Sequence, residues 1–217
     1  MLRPTKAAGA FDHQWEGSSE LIVHMEADPG ALSFARFNFQ SVLPRGKARA
    51  FYGVAAYLPR HDFGLFVIAV IPTGFTFTSR LIAMWNEADR LLAKHSTWLF
   101  STSHHDLLGE PHWSNTQKIA QCANAEVAPG DQTRVVEYLT EAGQAPLFEC
   151  VRRCEESIDS CDAALKPVAN GVLHFNTSEP LTLDSPVRLQ PQHPASSLAW
   201  LQSPLDFHRP TARLARW

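Results

Sequence analysis

A change of hydrophobic period near Pro72 constrains this chain more than any other feature. Before it, Leu32–Phe39, Ala48–Leu58 and Phe63–Ile71 read as extended runs; after it, Ser79–Phe100 repeats at helical spacing. In the first run Ala35, Phe37 and Phe39 point one way and Phe34, Arg36, Asn38 and Gln40 the other, which predicts a half-buried strand near a sheet edge. The next two runs are apolar on both parities and predict strands covered on both faces. Pro44-Arg45-Gly46-Lys47 and Pro59-Arg60-His61-Asp62 read as short turns, which favour hairpins over crossovers. Upstream, Glu20–Met25 reads as a further short strand, closed by a turn at Asp28-Pro29-Gly30.

Beyond Pro72, Leu81, Trp85, Ala88, Leu92 and Leu99 form one helical ridge suited to lie on the sheet, with Thr78 as N-cap. Further helices are expected at Thr116–Glu126, Gln132–Ala142 and Leu147–Lys166, the last stopped by Pro167. Seven of the fifteen prolines fall from Pro167 onward, so a long helix is excluded there. Short strands are expected at Val172–Phe175, Leu181–Leu183 and Val187–Leu189, one or two helical turns at Ser196–Gln202, and anchoring by Trp200, Leu201, Phe207 and Trp217.

The expectation is therefore an α+β fold: an antiparallel β-meander at about residues 20–71 packed against a long amphipathic helix, 79–100, then further helices and a Pro-rich C-terminal extension with short strands. Residues 1–19 are a lead-in, 20–166 a single domain, and 167–217 an extension that wraps it or is partly disordered. The order of elements over Glu20–Phe100 is similar in topology to small α+β interaction modules such as longin-like domains; that likeness carries no functional residue across.

A net charge of −3 and a pI near 6.3 lack the basic face of a nucleic-acid binder. Phe63–Ile71, the longest apolar run, is far shorter than the roughly 20 residues of a membrane-spanning helix. Four cysteines are too sparse for a disulfide framework. These readings lead to a soluble, cytoplasmic protein with no nucleic-acid partner, no membrane span and no cofactor. Phosphate-binding glycine loops are absent, as is a Gly-x-Ser-x-Gly elbow.

Candidate chemistry concentrates after the main helix, where His104, His105, Asp106, Glu110 and His112 fall within nine residues. Imidazoles and carboxylates bind zinc or iron and move protons, so His104, His105 and His112 are candidate ligands and Asp106 and Glu110 candidate acid–base groups of a metal-dependent hydrolase. No established ligand spacing is present, and a solvated polar loop accounts for the same residues. Cys150, Cys154 and Cys161 share a stripe on the expected third helix and could hold Cu(I) or pack as small hydrophobes, with Cys122 the other thiol. His61-Asp62 sits at an expected hairpin turn without a nucleophile in reach by sequence. Arg45, Lys47 and Arg49, and Arg209, Arg213 and Arg216, make two small basic clusters.

The leading expectation is a non-catalytic interaction protein of adaptor, chaperone or inhibitor type. It would bind a protein partner through a sheet edge or an aromatic sheet face carrying Phe34, Phe37, Phe39, Tyr52 and Tyr57. The metal-dependent hydrolase is the alternative, and a carrier of a small apolar ligand between sheet and helix the third reading.

Overall fold

The computed structural model describes residues 6–8, 15–61, 64–76 and 78–190. The architecture is mixed α and β: a four-stranded, mostly antiparallel sheet with helices on it, followed by a helical region that carries a small three-stranded sheet. The strands of the first sheet are β1 (Ala31–Arg36), β2 (Ala55–His61), β3 (Gly64–Ile71) and β4 (Thr97–Ser103), in that spatial order. β1–β2 and β2–β3 pair antiparallel, as a meander requires. β4 runs parallel to β3, with Leu65 opposite Thr97 and Ile71 opposite Ser103.

The parallel strand corrects the expected long helix. Ser79 does open a helix, α3 (Ser79–Ala93), and the Thr78 hydroxyl accepts from the Leu81 N–H at 3.2 Å as its N-cap. Leu81, Met84, Trp85, Ala88 and Leu92 are buried on the sheet as the ridge predicts. The helix ends at Ala93, however, and Ser96 takes a left-handed φ of 53° before β4 begins. Thr97-Trp98-Leu99-Phe100 is β-branched and aromatic, a composition that fits a pleated surface better than a fifth helical turn. No proline or glycine marks the boundary, so the helical period of the sequence runs on through Leu99.

Two further corrections lie upstream. Glu20–Met25 is helical, within α1 (Ser18–Ala27), because Leu21, Ile22 and Met25 share one helical face and are all buried. Gly17 precedes it at φ +78°, and a Cβ there would stand 2.4 Å from Val70 Cγ1, so glycine lets the helix start press onto β3. The run Ala48–Leu58 is split: Arg45–Ala48 forms α2, Arg49–Phe51 a 3-10 turn, and only Ala55 starts the strand. Its apolar residues at both parities reflect a turn whose Phe51 ring stacks on Phe39 at 3.9 Å, followed by a strand.

The sheet has a core on each face. On one side Phe39, Phe51, Val67, Ala69 and Ile71 meet Leu81, Trp85 and Ala88 of α3. On the other, Phe34, Tyr57, Ile68 and Val70 meet Leu21, Ile22 and Met25 of α1, with Leu107 from the short helix α4 (His104–Leu107). Trp98 and Phe100 of β4 stand half-buried at the margin of that second core.

Beyond it come α5 (His112–Cys122), α6 (Pro129–Ala142), β5 (Gln144–Pro146), α7 (Leu147–Val151), α8 (Ser160–Ala169), β6 (Leu173–His174) and β7 (Pro186–Leu189). The second sheet has the order β5-β7-β6 and is antiparallel throughout. The single helix expected over 147–166 is thus two helices, and Pro167 lies inside the second. A buried carboxylate explains the break: Asp131 accepts from Ser157 Oγ at 2.5 Å and from the Glu156 N–H at 3.2 Å, and also pairs with Arg134. Asp159 then caps α8 through the N–H groups of Cys161 and Asp162. Of the expected tail strands, Val172–Phe175 contains β6 and Val187–Leu189 lies within β7, whereas Leu181–Leu183 forms none. Ser196–Gln202, Trp200, Leu201, Phe207, Trp217 and the Arg209, Arg213 and Arg216 cluster lie outside the described residues.

Candidate functional site

The two outer strands of the first sheet are the candidate binding edges, and sequence and packing have prepared them differently. At β1, Phe34 pairs with Pro59 of β2. Phe34 turns both of its backbone groups away from β2: its N–H donates to the Lys6 carbonyl at 3.1 Å, and its carbonyl accepts from the Ala8 N–H at 2.8 Å. Opposed residues of an antiparallel pair exchange both bonds or neither, so Pro59, which has no N–H, costs nothing on this side. On its other side the ladder to β3 skips Leu58 and Pro59. Residues 6–8 therefore lie parallel to β1 and close its edge at Phe34.

Buried polar groups hold that segment. The Lys6 N–H donates to Glu26 Oε1 at 2.8 Å, and Lys6 Nζ donates to the carbonyls of Glu26 and Asp28 at 3.0 and 2.7 Å. Glu26 is 1% exposed and sits in the last turn of α1. Asp28 Oδ1 also accepts from the Gly30 N–H at 2.9 Å and lies 3.5 Å from Nε2 of the buried His61. His61, singled out by sequence with Asp62, thus meets a different carboxylate; Asp62 lies outside the described residues. Burial pulls the Lys6 ammonium below its usual range, while Asp28 and Glu26 oppose that shift. Sequence offered no sign of this cluster, because Lys6 stands 20 and 22 positions from Glu26 and Asp28.

β4 is the opposite edge. It reads Thr97-Trp98-Leu99-Phe100-Ser101-Thr102-Ser103, with no charge and no proline. No strand among the described residues pairs with its outer side.

The five aromatic residues expected on a binding face are separated by the fold. Phe34 is 1%, Tyr57 2% and Phe39 4% exposed, so all three are core residues. Phe37 is half-buried, and its N–H donates to the Ala56 carbonyl at 2.8 Å, which commits that end of β1 to β2. Tyr52 alone stands out, 81% exposed and edge-on to Trp15 at 5.3 Å.

The polar loop is divided as well. The Asp106 carboxylate accepts from the Ser103 N–H and Oγ, and Ser103 Oγ accepts from the Asp106 N–H, a reciprocal cap on α4. Glu110 accepts from Ser114 Oγ at 2.7 Å and from its N–H at 3.3 Å at the start of α5. His105 is exposed. His104 turns toward α1, where Nδ1 lies 2.8 Å from Glu16 Oε1 and Nε2 3.7 Å from Glu20 Oε1. Thr73 Oγ1 donates to the same Glu16 oxygen, and these bonds hold the Glu16 carboxyl below its usual range. His112 instead stacks on His24 of α1, ring centroids 5.2 Å apart, with Trp113 against the same His24 ring. His24 Nε2 donates to the Leu107 carbonyl at 2.8 Å, and burial pushes its pKa down to about 4. Burial lowers His112 too. Among the described residues no three His, Cys, Asp or Glu side chains stand together as a metal-binding group.

The thiols are also apart from the expected stripe: Cys122, Cys150 and Cys154 are buried, while Cys161 is exposed on α8. Burial raises the pKa of Cys150 and Cys154 to about 11 and that of Cys122 further, the character of packing residues rather than nucleophiles. In the first basic cluster, Lys47 pairs with Glu87 at 2.7 Å. No helix among the described residues is long and apolar enough to cross a membrane.

No protein-family model, no curated protein and no solved structure matches this chain.

Proposed function

We propose that the protein is a non-catalytic interaction module that accepts an extended segment of a partner protein on β4 by strand addition. The supporting observation is that β4 has no charge, proline or bulge and, among the described residues, no strand paired with its outer side. Native sheets guard their edges with charges, proline, bulges or a covering segment, and an unguarded edge offers a row of N–H and C=O groups to another chain. β4 has seven uncharged residues in a regular parallel ladder with β3, and no described strand covers it. The half-buried Trp98 and Phe100 form an apolar shelf beside the open backbone. Backbone pairing supplies the affinity and the shelf the specificity, so the partner segment presents uncharged, apolar side chains at alternate positions. A charge there would lose water against Trp98 and Phe100 without compensation.

Selection of a random peptide library on the folded chain tests this reading. Bound peptides should alternate apolar with other residues and protect the amides of residues 97–103 from hydrogen exchange. Ser101→Lys, whose long stem can reach solvent, should abolish their binding while leaving the thermal unfolding curve in place. Protection centred on any other surface, or equal binding by Ser101→Lys, would overturn the proposal.

A further inference from the structure

Bond direction along β4 follows from the pairing on the far side of the sheet. The Phe37 N–H donates to the Ala56 carbonyl, so Ala56 turns its backbone groups to β1, and its neighbours Ala55 and Tyr57 turn theirs to β3. Their partners Val70 and Ile68 are thereby committed to β2, which leaves Val67, Ala69 and Ile71 to bond β4. In the parallel ladder Val67 lies opposite Leu99 and Ala69 opposite Ser101. Such residues bond the neighbours of their opposite numbers, here Trp98, Phe100 and Thr102. Thr97, Leu99, Ser101 and Ser103 therefore send their N–H and C=O groups outward. One of these is already used: the Ser103 N–H donates to Asp106 Oδ2. For Thr97, Leu99 and Ser101 no backbone partner on that side occurs among the described residues. Trp98 and Phe100 lie on the α1 face of the sheet, and Leu99 lies on the α3 face. The two ends of the strand differ in charge. Exposed Lys94 and His95 precede it, whereas Glu16 and Glu20 stand at His104, which follows it.

We propose that β4 pairs antiparallel with β4 of a second copy of this chain about a twofold axis at Leu99; this rests on the reading of β4 as an open pairing edge and names its occupant. The register sets Thr97 of each copy opposite Ser101 of the other, and Leu99 opposite itself. All three outward residues then exchange both backbone bonds, and the Ser103 N–H stays with Asp106. Trp98 of each copy meets Phe100 of the other as a non-hydrogen-bonded pair, the closer kind. Two aromatic contacts thus form on one face, and Leu99 meets Leu99 on the other. A twofold axis sets like residues near each other and would repel a charged edge, but β4 carries no charge. The same axis brings Lys94 of one copy to the level of His104 of the other, where Glu16 and Glu20 supply the opposite charge. Assembly closes at two copies, because residues 6–8 meet the remaining outer strand at Phe34. A partner's extended segment and the second copy use the same backbone groups, so each excludes the other.

Sedimentation of the full chain over a concentration series tests the pairing, with amide hydrogen exchange followed at low and high concentration. The chain should form dimers and no larger species, and the amides of Thr97, Leu99 and Ser101 should gain protection as concentration rises. Those of Trp98, Phe100 and Thr102, already bonded to β3, should not change. Ser101→Pro removes an outward N–H and leaves the β3 ladder intact, so it should weaken the dimer at least about tenfold. Should that variant fail to fold, Ser101→Lys carries the comparison. Lys94→Glu should weaken the dimer too, by a factor that shrinks as salt is added. A monomer at every concentration, a dimer indifferent to the Ser101 variants, or protection gained at Trp98, Phe100 and Thr102 instead would overturn the proposal. A chain that stays monomeric yet protects residues 97–103 on binding a selected peptide would lose the second copy and keep strand addition. A monomer that binds no peptide there would lose both.

Discussion

β1 and β4 bound the same sheet, but among the described residues only β1 is met by another segment on its outer side. β1 is irregular, with a register shift between Ala31 and Ser33, it faces a proline on its neighbour, and it is covered by residues held through buried charges. β4 is regular, uncharged and uncovered among the described residues. The difference teaches that an edge can be closed by groups remote in sequence, while an open edge shows in its own composition.

The largest effect should come from truncating the closed edge. Phe34 is fully buried against α1, so Phe34→Ala should cost about 3–5 kcal/mol through lost burial and the cavity left behind. Phe100 on β4 is half-buried in the same cluster, and Phe100→Ala should cost about half as much. Urea unfolding of both variants measures the contrast. Equal losses would mean that β4 is as enclosed as β1.

Acid should act next, through the helix that roofs β1. His24 is held neutral by burial; the stacked His112 opposes its protonation further, while the Leu107 carbonyl, Asp28 and Glu20 favour it. Its pKa in the folded chain is about 4 against 6.5 when free, so the unfolded state binds the extra proton first as pH falls. Stability is therefore full above pH 6.5 and declines down to pH 4, by about 3 kcal/mol from this residue. His112 acts in the same direction. Hydrogen exchange at pH 7 and pH 4.5 should show Phe34 losing more protection than Leu99. A His24→Asn chain should lose most of the pH dependence in urea unfolding, and an unchanged slope would remove His24 as its source.

Much of this asymmetry was hidden from sequence for identifiable reasons. The Leu81, Trp85, Ala88 and Leu92 ridge was legible because it spans several turns, and period is reliable at that length. Six residues at Glu20–Met25 were too few to separate helix from strand, and the deciding contact, Gly17 on Val70, is long-range. The end of α3 was missed because no breaker stands before Thr97; the signal was the switch to aromatic and β-branched residues. Without β4 in the sheet, the open edge could not be located. The polar loop attracted attention by residue type alone, and folding uses Asp106 and Glu110 at helix starts. Lys6 and Glu26 look ordinary in sequence and acquire meaning only when β1 and α1 bring them together.

A smaller effect is expected where β3 begins beside β4. Gly64 has φ +131°, and a Cβ there would stand 2.9 Å from Cζ3 of Trp98. Gly64→Ala should therefore cost about 1–3 kcal/mol in backbone strain and displace the Trp98 ring, the near end of the β4 shelf. A shifted Trp98 indole resonance with an unmoved Phe34 amide would place the change on the open side. An unchanged indole signal would show that the ring does not bear on Gly64.

The smallest stability effect should come with the sharpest difference between the edges. Leu32 on β1 is 52% exposed, and Ser101 on β4 is half-buried. A lysine at either position removes no buried group, so Leu32→Lys and Ser101→Lys should each change unfolding free energy by no more than about 0.5 kcal/mol. Charge on an open edge opposes edge-to-edge pairing between copies, whereas charge beside an edge already closed by residues 6–8 has no pairing to oppose. Light scattering against protein concentration should thus show self-association reduced by Ser101→Lys and unaltered by Leu32→Lys. Equal suppression by both would mean that the strap leaves β1 open to other copies. No suppression by Ser101→Lys in a self-associating chain would mean that β4 is not the surface through which copies meet.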